Sequence, residues 1–281
     1  MDGRVGVYNK LWFSYGRCDI YHSVASSAQE IESIRVPVVD KKSPRGISTE
    51  VFPILHPHRI LSYLFDSVQL ELDTGSIHEF WDHSRSMGEP WAVASPASRD
   101  HVPIGLHGDA ARLWTVYQFE KQLSITLNLP LFRPRSTRYS RYVVFSIPYH
   151  KVLTNRTLNV VWRRLVWSMN AAYTGVNPVA GVGGAPLQGS DVERAGKPIT
   201  SQGLRFTLTE VRGDWEFHRD CWRPTVSWQS MKEMCMTCPA RATGPSGTLY
   251  YNNEADCAWD MADFGLEEFS SKRLKERNLC A

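Results

Sequence analysis

The sequence predicts an α/β fold around an incomplete mixed sheet: three antiparallel strands, a crossover helix, and a fourth strand parallel to the first. Three observations predict it. Residues 123–129 alternate apolar and polar side chains (Leu123, Ile125, Leu127, Leu129 against Ser124, Thr126, Asn128), as a half-buried strand does. Strand-like runs flank this one at 102–107 and 142–147, and three strands linked by short loops suit an antiparallel meander. Then Leu158, Val161, Trp162, Leu165, Met169 and Ala172 recur at helical spacing, and a further strand-like run follows at 204–211. A helix between the third and fourth strands returns the chain parallel to the first strand and beside it.

Taken in order, residues 1–40 give no element, and Lys41-Lys42-Ser43-Pro44-Arg45-Gly46 reads as a loop. His56-Pro57-His58 leads into a helix with Ile60, Leu61, Leu64, Phe65 and Val68 on one face, and 76–87 predicts a second helix stopped by Gly88 ahead of Pro90. The strand from Val102 runs into Gly108-Asp109, where it is expected to end. Arg133-Pro134-Arg135-Ser136 breaks the second strand and Pro148 closes the third. Asn155 is placed to cap the crossover helix and Gly175 to end it. The Gly-rich stretch 180–189 is a loop, and the fourth strand ends at Arg212-Gly213-Asp214. This divides the chain into a mainly helical N-terminal region (1–100), the partial sheet core (101–222), and a terminal segment (223–281) with a Cys-x-x-Cys pair and a charged helix from Glu267 to Arg277.

Composition is that of a globular protein, with 42% hydrophobic and 22% charged residues, which excludes a disordered chain. No apolar run reaches the ~20 residues of a membrane span. The first residues lack the basic-then-apolar layout of an export signal, so a soluble intracellular protein is expected. Net charge is only +3, but its distribution is uneven. Between Glu120 and Asp191 there is no acidic residue, while Lys121, Arg133, Arg135, Arg138, Arg141, Lys151, Arg156, Arg163 and Arg164 fall in that interval. A one-signed stretch interleaved with Trp and Tyr points to nucleic acid, with Arg133, Arg135, Arg138, Arg141, Lys151 and Arg156 as the contacts. The bland reading is a basic face whose acids come from elsewhere in the fold.

Two constellations carry chemistry. Asp109 and Asp214 close neighbouring strands of the expected sheet and would converge, although about a hundred residues separate them. Paired carboxylates are hard oxygen ligands for Mg²⁺ or Mn²⁺ in phosphoryl-transfer sites. Each follows a glycine (Gly108, Gly213), and taken singly a Gly-Asp pair is a common turn former. Cys235-Met236-Thr237-Cys238 has the spacing that grips one side of a Zn²⁺ tetrahedron. Cys221 and Cys257, or His218, are the candidates to complete it; bare thiols and a redox pair are the alternatives.

The ordered set resembles the DDE/D transposase-like proteins of mobile elements, similar to the CACTA and Plavaka groups and to transposase-like open reading frames of protists. The resemblance runs over roughly residues 100–260. It rests on the run from Ile104 to Asp109, the helix at 162–175, Arg212-Gly213-Asp214-Trp215, Cys235–Cys238 with Pro239-Ala240, and the stretch from Tyr250 to Ala258-Trp259. More weakly, the segments around His56–Leu64 and Phe80-Trp81 look like what precedes the first catalytic strand. The resemblance implies a ribonuclease-H-like core, Mg²⁺ or Mn²⁺ as the catalytic cofactor, structural Zn²⁺, DNA as partner and a nuclear location. It makes Asp109 the first acid of the triad, Asp214 the second, and Cys235 and Cys238 the pair in the insertion that follows. The third acid of such proteins comes after a sizeable insertion, so the third acid, the last strand and the closing helix are expected to be missing and strand transfer incomplete. A non-enzymatic zinc-stabilised module binding nucleic acid or protein is the alternative.

Overall fold

A computed structural model describes residues 31–112, 121–134, 140–153 and 156–222. The chain divides into two compact units, Met1–Asp214 and Trp215–Ala281. The first unit is α/β. Its strands are β1 (Glu32–Val39), β2 (Ile47–Ile54), β3 (Val102–Arg112), β4 (Lys121–Asn128), β5 (Arg141–Pro148) and β6 (Phe206–Gly213). They form one six-stranded open sheet in the order β1-β2-β5-β4-β3-β6. Every pairing is antiparallel except β3 with β6, which is parallel. The expected meander, crossover and parallel fourth strand are thus present.

The N-terminal region departs from the sequence reading. Residues 1–40, expected to give no element in a mainly helical region, include β1, which pairs with β2 in a hairpin that joins the same sheet. Ile34, Val36 and Val38 alternate inward along β1 and are buried, as are Phe52, which stands opposite Ile34, and Ile54 on β2. Asp40 begins the turn: its backbone N–H donates to Gly46 O at 2.9 Å, and its carboxylate accepts from Lys42 N. Gly46 takes the left-handed φ of +67° that the turn requires. The hairpin meets β5 along a short seam, Ile54 opposite Phe145 with Leu55 N–H donating to Val144 O at 2.9 Å. Pro37 sits on β1, an outer strand of the sheet, where its missing N–H costs least.

Helix α1 (Pro57–Ser62) continues into a π-turn (Tyr63–Ser67), which keeps Ile60, Leu61, Leu64 and Phe65 buried; Val68 lies outside it and is exposed. Helix α2 (Thr74–Ser86) starts at Asp73, whose carboxylate accepts from Gly75 N and Ser76 N, and Gly88 beyond its end has φ +71°. A single turn, α3 (Pro90–Val93), follows. Trp81 is fully buried and its indole N–H donates to His101 O at 2.8 Å. The crossover helix α4 (Thr157–Thr174) buries Leu158, Val161, Leu165, Ser168, Ala171 and Ala172, and it packs against α1, β1 and β6. Gly175 ends it at φ +72°, as expected. Asn155, expected as its cap, lies outside the described residues, and Arg156 holds the cap position without a side-chain bond. Thr157 clamps the entry instead: its hydroxyl accepts from Leu153 N–H and donates to Pro37 O on β1. After the Gly-rich loop come a short α5 (Ser190–Arg194) and β6. In the second unit, α6 (Trp215–Trp222) is described, with Phe217 and Cys221 buried. Among the described residues, no helix is long and apolar enough to cross a membrane.

Candidate functional site on the sheet

Strand β3 does not end at Asp109 but continues to Arg112, so Gly108-Asp109 is strand rather than turn. Its even-numbered residues Ile104 and Leu106 are buried, as are Leu123, Ile125 and Leu127 of β4. The odd-numbered residues Gly105, His107 and Asp109 therefore face the other side, since side chains alternate across a strand. A β-bulge at Thr209 shifts the phase of β6 against β3; the Thr209 hydroxyl donates to Ile104 O at 3.2 Å. Beyond it, Glu210 stands level with Gly105, Arg212 with His107, and Gly213 with Gly108.

The polar side of the sheet thus forms rows. Arg141, Asn128, Gly105 and Glu210 make one, from β5 across to β6. Val143, Thr126, His107 and Arg212 make the next. Ser124 and Asp109 follow, with Asp214 directly after the end of β6. With Gly108 opposite Gly213 in parallel register, Asp109 and Asp214 are the next residues of two adjacent strands. Asp109 is half-exposed and Asp214 exposed. Backbone oxygens are tied down from β4, Ser124 donating to Asp109 O at 3.4 Å and Thr126 to His107 O at 3.2 Å. The imidazole of His107 is held below its usual pKa, first by burial and then by Arg141 and Arg212, which outweigh the attraction of Asp109 and Asp214.

The first row contains a feature that the sequence reading missed. Asn128 Nδ2 donates to Glu210 Oε1 at 2.9 Å across β3, and Arg212 donates to Glu210 Oε2 at 2.6 Å. The side chains meet over Gly105: a Cβ there would lie 2.6 Å from Glu210 Oε1 and 2.7 Å from Asn128 Oδ1. Glu210 is not a third acid beside the pair. Gly105 is four residues before Asp109, a strand rise of about 13 Å.

The predicted basic contacts are scattered. Arg133 is exposed after β4, Arg141 is exposed at the start of β5, and Arg156 is exposed at the entry of α4; Arg135 and Arg138 lie outside the described residues. Lys151 is held by Glu50 of β2 at 2.6 Å, and Arg164 by Glu32 of β1 at 3.2 Å. The acid-free stretch does receive acids from elsewhere, supplied by the hairpin that the sequence concealed. Of the expected zinc ligands, Cys221 is buried on α6, while Cys235, Cys238 and Cys257 lie outside the described residues. Among the described residues, no group of three His, Cys, Asp or Glu is arranged to hold a metal ion.

A second polar cluster forms where α1 meets α4. His56 and His58 stack at 5.7 Å, and both meet the Trp167 ring edge-on at 5.0 and 5.3 Å. His56 Nε2 pairs with Glu32 Oε2 at 2.7 Å, and His58 Nδ1 with Ser168 Oγ at 2.7 Å. Ser168 is fully buried, so no substrate reaches this Ser–His pair and the cluster is structural. Burial, then His56, Arg59 and Arg194, push the His58 pKa far down.

Comparison with protein-family models, with curated proteins and with solved structures gives no match for this chain.

Proposed function

We propose that this is a transposase-derived, DNA-binding protein on a partial ribonuclease-H-like core, in which Asp109 and Asp214 are the preserved metal-binding carboxylates and strand transfer is incomplete. The single observation that carries this reading is the parallel register of β3 and β6, with Gly108 opposite Gly213 and each followed by aspartate. That neighbourhood was expected from strand order, and the continuation of β3 through Asp109 to Arg112 supports it.

Two adjacent carboxylates suit a Mg²⁺ or Mn²⁺ ion that keeps most of its water, which fits the donor set here. When bound, such an ion polarises a phosphodiester and lowers the pKa of a coordinated water. The chain's own contribution is positional. Asp109 is held within a continuous strand, Asp214 directly after the end of its parallel neighbour, and His107 and Arg212, one row back, supply donors for phosphate oxygens nearby. With no third protein donor beside the pair among the described residues, the site binds more readily than it cuts.

Incubating the full chain with supercoiled plasmid and Mg²⁺ or Mn²⁺ tests this. The expected result is binding with little or no nicking, any nicking being lost in Asp109→Asn and Asp214→Asn. Robust nicking that survives both substitutions places the chemistry elsewhere.

A further inference from the structure

We infer that a nucleic-acid strand lies lengthwise along the polar side of the sheet. It would run from Arg141 at the start of β5 towards Asp109 and Asp214, with Arg141 and Arg212 each contacting a phosphate and Glu210 positioning Arg212. The inference rests on the nucleic-acid reading of this site and adds to it a path along the strands and a positioning role for Glu210.

Placement comes first. Arg141 lies in the row of Asn128, Gly105 and Glu210, whereas Asp109 and Asp214 lie four residues further along their strands. The two groups are separated by about 13 Å of strand, so a ligand touching both must run along the strands. The row between them holds His107 and Arg212, and Arg212 is 70% exposed. Arg141 and Arg212 therefore place two guanidinium groups at successive rows on the way to the carboxylates, an arrangement that suits successive phosphates of one backbone.

The bracket over Gly105 comes second. Arg212 would ordinarily be a mobile surface side chain. Here Glu210, only 20% exposed, accepts from it and from Asn128 at once, and β3 surrenders a side chain at Gly105 to let this happen. A carboxylate laid flat across a strand and fixed at both oxygens holds a guanidinium in one orientation, leaving its remaining N–H groups for a phosphate.

Binding of the full chain to a fluorescent DNA duplex in chelator, measured between 50 and 200 mM salt, tests the inference. Each phosphate contact removed should lower the ratio of Kd at the two salts by about 3.5-fold, the value for one released counterion over a fourfold salt range. Arg141→Gln and Arg212→Gln should each show this, and the double variant should show both. Arg212→Lys should keep the salt slope, which guards against a folding artefact. Glu210→Gln should weaken binding in the wild-type background and not further in Arg212→Gln. An unchanged slope in either arginine variant overturns the path while leaving the metal site standing, and tighter binding by Glu210→Gln overturns the positioning role. Absence of any DNA binding overturns both this inference and the function it rests on.

Discussion

Replacing Gly105 by alanine should destabilise the first unit, although alanine is ordinarily the safer residue in a strand. Gly105 does not have a positive φ, so the backbone accepts alanine without strain. On that ground alone the substitution should gain about 0.4–1 kcal/mol by restricting the unfolded chain. The loss comes from space. The new methyl would sit 2.6 Å from Glu210 Oε1 and 2.7 Å from both Glu210 Cγ and Asn128 Oδ1. The two side chains must part, breaking an amide-to-carboxylate hydrogen bond worth about 1.5–3 kcal/mol. The net cost is about 1–2 kcal/mol, or about 2–8 °C in Tm for a unit of this size. Thermal and urea unfolding, followed by circular dichroism, measure it. The control is the same substitution in a Glu210→Ala background, where the collision with the carboxylate is gone and the penalty should largely vanish. A neutral or stabilising Gly105→Ala, or a penalty unchanged in Glu210→Ala, would refute the bracket.

Stability should fall on acidification. His58, His101 and His107 all have folded-state pKa values below the ordinary 6.5, so each is neutral when folded and takes up a proton more readily when unfolded. Their contribution is complete above pH 6.5 and is lost as pH falls from there through the folded values, at up to about 1.4 kcal/mol per histidine per pH unit. Tm measured from pH 7.5 to 5 should drop, and His58→Gln should flatten that drop; an unchanged slope would show that His58 does not carry it. Lys151→Gln should leave the salt dependence of DNA binding nearly unaltered, because Glu50 already holds the ammonium, whereas Arg156→Gln should reduce it; equal effects would contradict the ion pair's hold. Zinc analysis should find one ion per chain, and Cys235→Ser or a chelator should lower Tm. A zinc-free, fully folded chain would remove the Cys-x-x-Cys assignment.

Strands β3, β4, β5 and β6 could be read from the sequence because each signal is local. Strict alternation marks β4, Pro148 closes β5, a clean helical face marks α4, and Gly175 stops it. Strand order then placed Asp109 beside Asp214, a long-range consequence of short-range patterns. The hairpin escaped notice because Pro37 and Pro53 interrupt its strands and charged Arg35 and Glu50 break up the apolar run. Missing it also hid Glu32 and Glu50, and with them the partners of Arg164 and Lys151. The Glu210 bracket could not be read at all: Asn128 lies on β4, Gly105 on β3 and Glu210 with Arg212 on β6, and their meeting depends on a bulge that re-phases β6. His56 and His58 looked scattered for a similar reason, since Trp167 and Ser168 lie more than a hundred residues away.

The account stands or falls on whether Asp109 and Asp214 act as one metal site. Titrating the full chain with Mn²⁺ and reading bound ion by electron paramagnetic resonance addresses this directly. One weakly held Mn²⁺ displaced by Mg²⁺ is expected, and it should be lost in Asp109→Asn and equally in Asp214→Asn, with Tm in metal-free buffer little changed. Binding that persists in either variant, or that never occurs in a folded wild-type chain, would contradict it.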